Sequence, residues 1–331
     1  MKGVDNELDW YKISQAEGFG AKSLHYLWEI SKTKKISIND VFELNKKEFY
    51  FSFPDLGTGK FSKATFESFH QKKEDVLLRE YEALKKANIT IIGIGDKLYP
   101  QLVRERMKDS APFVLFCKGN LKLLTAKNIA VIGSRTIKDV GLEKGQEIGS
   151  ELALAGYNVV SGYAKGIDRQ AHLGALKQDG TTTMVLGYGL NELAVVKEFE
   201  GSDLEKNALF VSQFTPDAAF SGQNAMIRNK LLCAFSTAVV VIASDAEINK
   251  EGKNSGTFDA GISAIKMDIP LYVLSTSLFG KKKPEGNDEL IDKGGTEFTE
   301  INEVLQELQE NEPEEEVTEN KKQTLIQQQL F

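Results

Sequence analysis

A chain of 331 residues exceeds the usual size of one domain, and a composition of 41% hydrophobic and 27% charged residues with only 7 prolines excludes a disordered or fibrous protein. No run approaches the roughly eighteen uncharged apolar residues of a membrane span, and the N-terminus lacks a basic segment followed by an apolar one, so no membrane partner or leader is expected and the chain reads as cytoplasmic. The net charge of −7 ordinarily speaks against nucleic acid, but eight glutamates and two lysines after residue 300 account for −6 of it and leave −1 for residues 1–300, a nearly neutral body that can carry a basic face.

Residues 7–85 read as helical, with polar breaks near 37–40 and 54–60, and define a small all-α module over residues 1–87. Within it, Gly18, Phe19 and Gly20 precede the stretch AlaLysSerLeuHisTyrLeuTrp. This is either a plain turn with Leu24, Leu27 and Trp28 packed in the core, or a helix-hairpin-helix (SAM-like) bend whose backbone amides meet a phosphate. From Asn88 the pattern changes to short apolar runs of β type at 89–94, 113–116, 129–133, 158–161, 183–186, 209–212, 238–242 and 271–274. Helix-length amphipathic stretches lie near 142–155, 168–178, 222–236 and 257–266. Continuous apolar strands alternating with helices predict an α/β fold, a doubly wound and mostly parallel Rossmann-like sheet over residues 88–300, with ligands at the carboxyl ends of its strands. Cys117 and Cys233 stand far apart among apolar neighbours and read as buried free thiols, so neither a metal nor a cofactor is expected.

Three segments follow strands directly. In Gly133, Ser134 and Arg135 the glycine permits a tight turn, the serine offers a hydroxyl and the arginine is suited to bidentate phosphate contact. In SerGlyTyrAlaLysGlyIleAsp (161–168), Ser161, Gly162, Lys165 and Gly166 form a loop whose amides could cradle an anion at a helix start. Asp168 stands where an N-cap would. In the third, Ser255, Gly256 and Thr257 are small residues opening another helix. Together they predict an anion site.

With SerGlyTyrAlaLysGlyIleAspArgGlnAlaHis (161–172), ArgAsnLys (228–230), SerGlyThr (255–257), GlyAsnAspGluLeuIleAspLysGlyGly (286–295) and the upstream AlaProPheValLeuPheCysLysGlyAsn (111–120), the chain resembles the DprA/Smf family over about residues 96–300. The resemblance implies a homodimeric protein without a catalytic step that binds single-stranded DNA and helps load RecA recombinase during DNA uptake. Carried over residue by residue, it makes Arg135, Arg228 and Lys230, with Asn229 between the last two, the phosphate contacts, and Lys165 with its neighbouring amides a second set. His172 reads as a packing residue. The chain departs from the family pattern at residues 191–196, where a Tyr-Pro pair is usual, at Gln213, where an acid is usual, and at Ala225 and Met226, where an aromatic-Pro pair is usual.

After Asn302 a short helix-like run gives way to an acidic stretch too polar to bury, read with its surroundings as a linker over 301–331. Its end, with Gln327, Leu330 and Phe331, has the Gln-x-x-Leu-Phe spacing of peptides that dock on the bacterial sliding clamp. Two other functions compete with DNA binding. Asp259, two residues after Thr257, could serve a nucleotide-hydrolysing (phosphoribohydrolase-like) N-glycosidase, and the same loops could serve a sensor of small phosphorylated nucleotides.

Overall fold

The computed structural model describes residues 6–136, 139–248, 252 and 254–310. Six helices come first: α1 (Glu7–Ser14), α2 (Ala21–Lys34), α3 (Ile38–Phe42), α4 (Lys46–Ser52), α5 (Phe66–Phe69) and α6 (Glu74–Lys86). Capping fixes several of their starts. Asn6, Ser37, Asn45 and Thr65 accept the N3 amide, and the side chains of Asp9, Asp40, Glu48 and Ser68 return a bond to the cap amide. The polar stretch 37–40, expected to interrupt the helices, is thus a helix start. At the glycine bend Leu24, Leu27 and Trp28 are buried, and a Cβ on Gly18, which has φ +74°, would meet the Lys63 carbonyl oxygen at 2.2 Å. Only a glycine lets the two segments approach so closely.

The remaining elements are β1 (Thr90–Gly93), α7 (Gln101–Met107), β2 (Val114–Gly119), β3 (Asn128–Gly133), α8 (Val140–Leu154), β4 (Asn158–Ser161), α9 (Ile167–Lys177), β5 (Thr182–Leu186), α10 (Leu204–Asn207) and β6 (Ala208–Ser212). They continue with α11 (Gly222–Ala234), β7 (Ala238–Ala243), α12 (Gly256–Lys266), β8 (Leu271–Leu274), α13 (Glu285–Asp292), β9 (Thr296–Phe298) and α14 (Ile301–Glu310). One nine-stranded sheet takes the order β1-β2-β6-β5-β4-β3-β7-β8-β9. From β6 to β9 neighbouring strands are parallel, while β1 and β2 add antiparallel at one edge. Both faces are covered, as the unbroken apolar runs predict. Along β3 the pleat sends Ile129 and Val131 into a cluster with Ile148 and Leu152 of α8 and Ile167 of α9, and Ala130 and Ile132 into another with Leu231 of α11 and Phe258 of α12.

The second cluster continues into the N-terminal helices through Trp10, Leu27 and Phe49, so the core runs without a break across the boundary expected at residue 87. Trp10 lies on Gly93, where a Cβ would sit 2.0 Å from the indole, and its Nε1 donates to Asp96 at 3.2 Å. Strand β1 is a sheet edge, yet its outward amides are occupied: Ile91 donates to Glu7 Oε1 at 2.7 Å and Gly93 to Asp96 Oδ2. Two further differences from expectation lie at the other edge. Strand β9 is too short and too polar to register as an apolar run. Helix α14 buries Ile301, Val304 and Leu305 and therefore belongs to the packed body rather than to a linker. Gln327, Leu330 and Phe331 lie outside the described residues. Among the described residues no helix is long and apolar enough to cross a membrane.

Candidate nucleic-acid interface

From β3 the chain moves one way to build β4, β5 and β6, then crosses back to build β7, β8 and β9 on the other side. The loops after β3 and β7 therefore diverge, and a crevice opens between them at the carboxyl ends of the strands. A cavity of about 570 Å³ lies there. Asp168 in the first turn of α9, Gly222 of α11 and Gly256 of α12 line it, so three helix N-termini with their partial positive charge converge on the space.

The loop after β3 is held to the end of β7. The Ser134 amide donates to the Ala243 carbonyl at 2.7 Å, the Ser134 hydroxyl to Asp245 Oδ2 at 2.7 Å, and the Thr136 hydroxyl to Asp245 Oδ1 at 3.1 Å. Ser134 is buried at the cavity wall, and its hydroxyl orders the loop. Arg135 is exposed beside it, its guanidinium 5.9 Å from the ring of Phe220, which is 55% exposed. A cation and an aromatic face thus stand together at the mouth. Gly133 serves packing: a Cβ there would meet Ile167 Cδ1 at 2.3 Å.

The loop after β4 is placed differently from expectation. The Ser161 hydroxyl is buried and donates to the Val131 carbonyl at 2.6 Å. Gly162 leaves room for a side chain, because a Cβ there would sit 1.6 Å from Arg228 Nη1. Gly166, with φ +105°, turns the chain into α9, and Lys165 is exposed beyond the cavity wall. Tyr163 links this loop to the stretch where the family pattern is lost: its hydroxyl donates to the Ala194 carbonyl and accepts the Val196 amide, both at 3.0 Å. Ala225 and Met226, another departure, form part of the cavity wall. Gln213, the third, has its buried Nε2 without a hydrogen-bond partner among the described residues.

The basic pair expected on α11 is divided by helical geometry. Positions two apart on a helix face nearly opposite ways. Arg228 turns inward, is 5% exposed and donates from Nη1 to the Val185 carbonyl at 3.0 Å. Lys230 turns outward, away from the cavity lining and toward Asp259. Between them the Asn229 amide group donates to the Gly256 carbonyl at 2.9 Å and ties α11 to the start of α12. Arg228 is thus a floor residue, not a displayed phosphate contact. Its charge faces the buried Asp168, whose carboxyl is pushed up by burial and drawn back by Arg228, by the Ala164 amide and by Arg135. Burial lowers the Arg228 pKa while Asp168 supports its charge.

Ser255 caps α12, accepting the Phe258 amide at 3.3 Å, while Gly256 and Thr257 form the adjoining wall. Ser255→Ala should lower unfolding stability by about 1 kcal/mol, the ordinary loss for a helix cap, read by chemical denaturation. His172 is fully buried with its pKa pushed down to about 3 by burial and by Arg228. The Thr182 hydroxyl donates to the Val159 carbonyl, which leaves it to accept from His172 Nδ1 at 2.6 Å. A neutral histidine so enclosed is structural. Asp259, the carboxylate a nucleotide hydrolase would need, is half-buried and off the cavity wall; the cavity's carboxylates are Asp168 and Asp245. Asp245, Thr136 and Phe220 were not singled out in the sequence, although Asp245 stands two residues past β7, where the carboxyl-end rule points.

Fold and crevice together define a doubly wound Rossmann-like protein with an open crevice at the switch point of the sheet. The chain belongs to the DNA recombination-mediator protein A family, whose model matches residues 90–309. It is 30% identical over 229 residues to protein Smf of Escherichia coli, covering 68% of this chain and 58% of that protein. It is 26% identical over 251 residues to the DNA processing protein DprA of Bacillus subtilis, covering 75% and 80%. The structure of DprA from Streptococcus pneumoniae superposes with a TM-score of 0.73 at 24% identity over 93% of this chain and 99% of that one. DNA processing protein A from Helicobacter pylori, whose structure describes that protein's single-stranded DNA binding mode, gives a TM-score of 0.56 at 25% identity over 67% of this chain and 97% of that one.

Proposed function

We propose that the chain binds single-stranded DNA without altering it, seating the strand in the crevice between the loops that follow β3 and β7. The observation that carries this is the pairing of exposed Arg135 with exposed Phe220 at the mouth of a cavity ringed by helix N-termini. A guanidinium suits a phosphate and an aromatic face suits an unstacked base, the two contacts a flexible strand offers at once. Family membership and the single-stranded DNA binding mode of the Helicobacter pylori relative support the same reading. As the family resemblance implies, the protein would act as a homodimer and deliver the bound strand to RecA recombinase.

Fluorescence anisotropy of labelled oligothymidylate across a salt series tests it. Arg135→Ala should weaken binding and lower the slope of log affinity against log salt by about 0.7, the release of one phosphate contact on a single strand. Phe220→Ala should weaken binding by about 1–3 kcal/mol, a lost base stack, with the slope unchanged. Absence of single-strand binding by the wild type at low salt overturns the proposal. Saturable binding of a mononucleotide in its place would favour the sensor reading, and release of free base would favour the hydrolase.

A further inference from the structure

The loop between β8 and α13 carries three consecutive lysines, Lys281, Lys282 and Lys283, all exposed. None of the three forms a salt bridge or side-chain hydrogen bond with another described residue. A run of lysines is ordinarily a solvated surface. Its anchorage makes this one different. The loop leaves the carboxyl end of β8, the sheet end at which the crevice opens, and is pinned to the β7 loop immediately after it. Gly286 donates its amide to the Ser244 carbonyl at 3.0 Å, and a Cβ on Gly286 would lie 2.1 Å from the Asp245 carbonyl oxygen. Asn287, fully buried, accepts the Ser244 amide at 2.7 Å and donates to the carbonyls of Ile242 and Leu274 at 3.0 and 2.8 Å. The end of the lysine loop is therefore fixed against Asp245, the residue that holds Ser134 and Thr136 beside Arg135.

Sheet order turns these positions into a line. Lys165, Arg135 and the three lysines follow β4, β3 and β8, and the sheet runs β4-β3-β7-β8. At the usual strand separation of about 4.8 Å, three intervals span roughly 14 Å. By sheet order the lysine loop lies on the β9 side of the crevice and Lys165 on the β4 side, while the pocket itself lies over β3 and β7. A phosphodiester backbone that fills the pocket and continues toward that edge meets the lysines next.

We propose that Lys281, Lys282 and Lys283 form a second, sequence-independent contact for single-stranded DNA, engaging the phosphates of the strand after it leaves the crevice. This rests on the single-strand reading above and adds a direction to it. The contact is electrostatic and lies outside the pocket. It should therefore depend on strand length and on salt, but not on base identity.

The test compares oligothymidylates of about 4 and about 16 nucleotides, the limits of site size common among single-strand-binding folds, by anisotropy across a salt series with the full chain. The variant Lys281→Ala/Lys282→Ala/Lys283→Ala should bind the short strand as the wild type does. On the long strand it should lose affinity at low salt and lower the salt slope by as much as about 2, three contacts at about 0.7 each. The charge-preserving variant Lys281→Arg/Lys282→Arg/Lys283→Arg should retain the wild-type slope. An unchanged long-strand slope in the alanine variant overturns the inference while leaving the pocket reading intact. Equal losses on both strands also overturn it, because the lysines would then act at the pocket. A wild type that binds neither strand overturns both readings.

Discussion

Arg228→Ala should destabilise the protein by about 3 kcal/mol or more, measured by urea unfolding. Removing one member of a set of buried charges leaves the other uncompensated, typically at a cost of about 3–5 kcal/mol, and the Val185 carbonyl loses its donor at the same time. The pH dependence should change as well. Burial holds the Asp168 pKa above the ordinary carboxylate range even with Arg228 opposite. In the interval between the unfolded and the raised folded pKa the native state binds more protons than the unfolded chain, so stability falls as pH rises through that interval. Asp168 therefore opposes folding at neutral pH, and acidification toward its folded pKa relieves the penalty. Without Arg228 the carboxyl is pushed up further. The stability lost in Arg228→Ala should then be partly restored at lower pH, and partly restored at neutral pH by adding Asp168→Asn. A loss that is the same at every pH would show that Arg228 acts through packing alone.

Gly162→Ala should be of comparable severity, though it adds a single methyl group. That methyl would sit 1.6 Å from Arg228 Nη1, inside any permissible contact, and the guanidinium is enclosed and bonded to Val185. Either Arg228 leaves its site or the β4 loop moves, and each course loses what the arginine supplies. The backbone at Gly162 does not need glycine for its own sake, since its φ is outside the left-handed region. The two substitutions should therefore be strongly non-additive: Gly162→Ala in the Arg228→Ala background should cost about 0.5 kcal/mol or less, the ordinary range for a substitution that breaks no packing. Additive losses would mean that Gly162 serves the loop and not the arginine.

Strands β3 and β7 are apolar on both faces, and such runs are legible because burial on two sides removes the need for polar residues. The glycines after β3 and β4 were visible as well, but their reasons were not. Gly133 accommodates Ile167 and Gly162 accommodates Arg228, two demands set by residues far off in the chain. The ArgAsnLys motif read as one basic patch because the residues adjoin in sequence, whereas on a helix the first and third face different neighbours. Asp245 has no local signal beyond its place after an apolar run. Only the pairing of β3 with β7 brings it to Ser134 and Thr136, across 111 and 109 residues. Strand β9 escaped notice because two of its three residues are exposed, which leaves no alternation to detect.

The occupied edge of β1 bears on how copies of this protein could associate. An uncovered edge strand is a template that any extended chain can join. Here the two outward amides are already bonded to carboxylates, one from the first helix and one from the turn that follows the strand. A newcomer could bond neither amide without first displacing its carboxylate. Growth of the sheet by strand addition is thus opposed on this side, and the residue that opposes it at Ile91 belongs to the first turn of the first helix. The N-terminal segment is to that extent a stopper on the sheet.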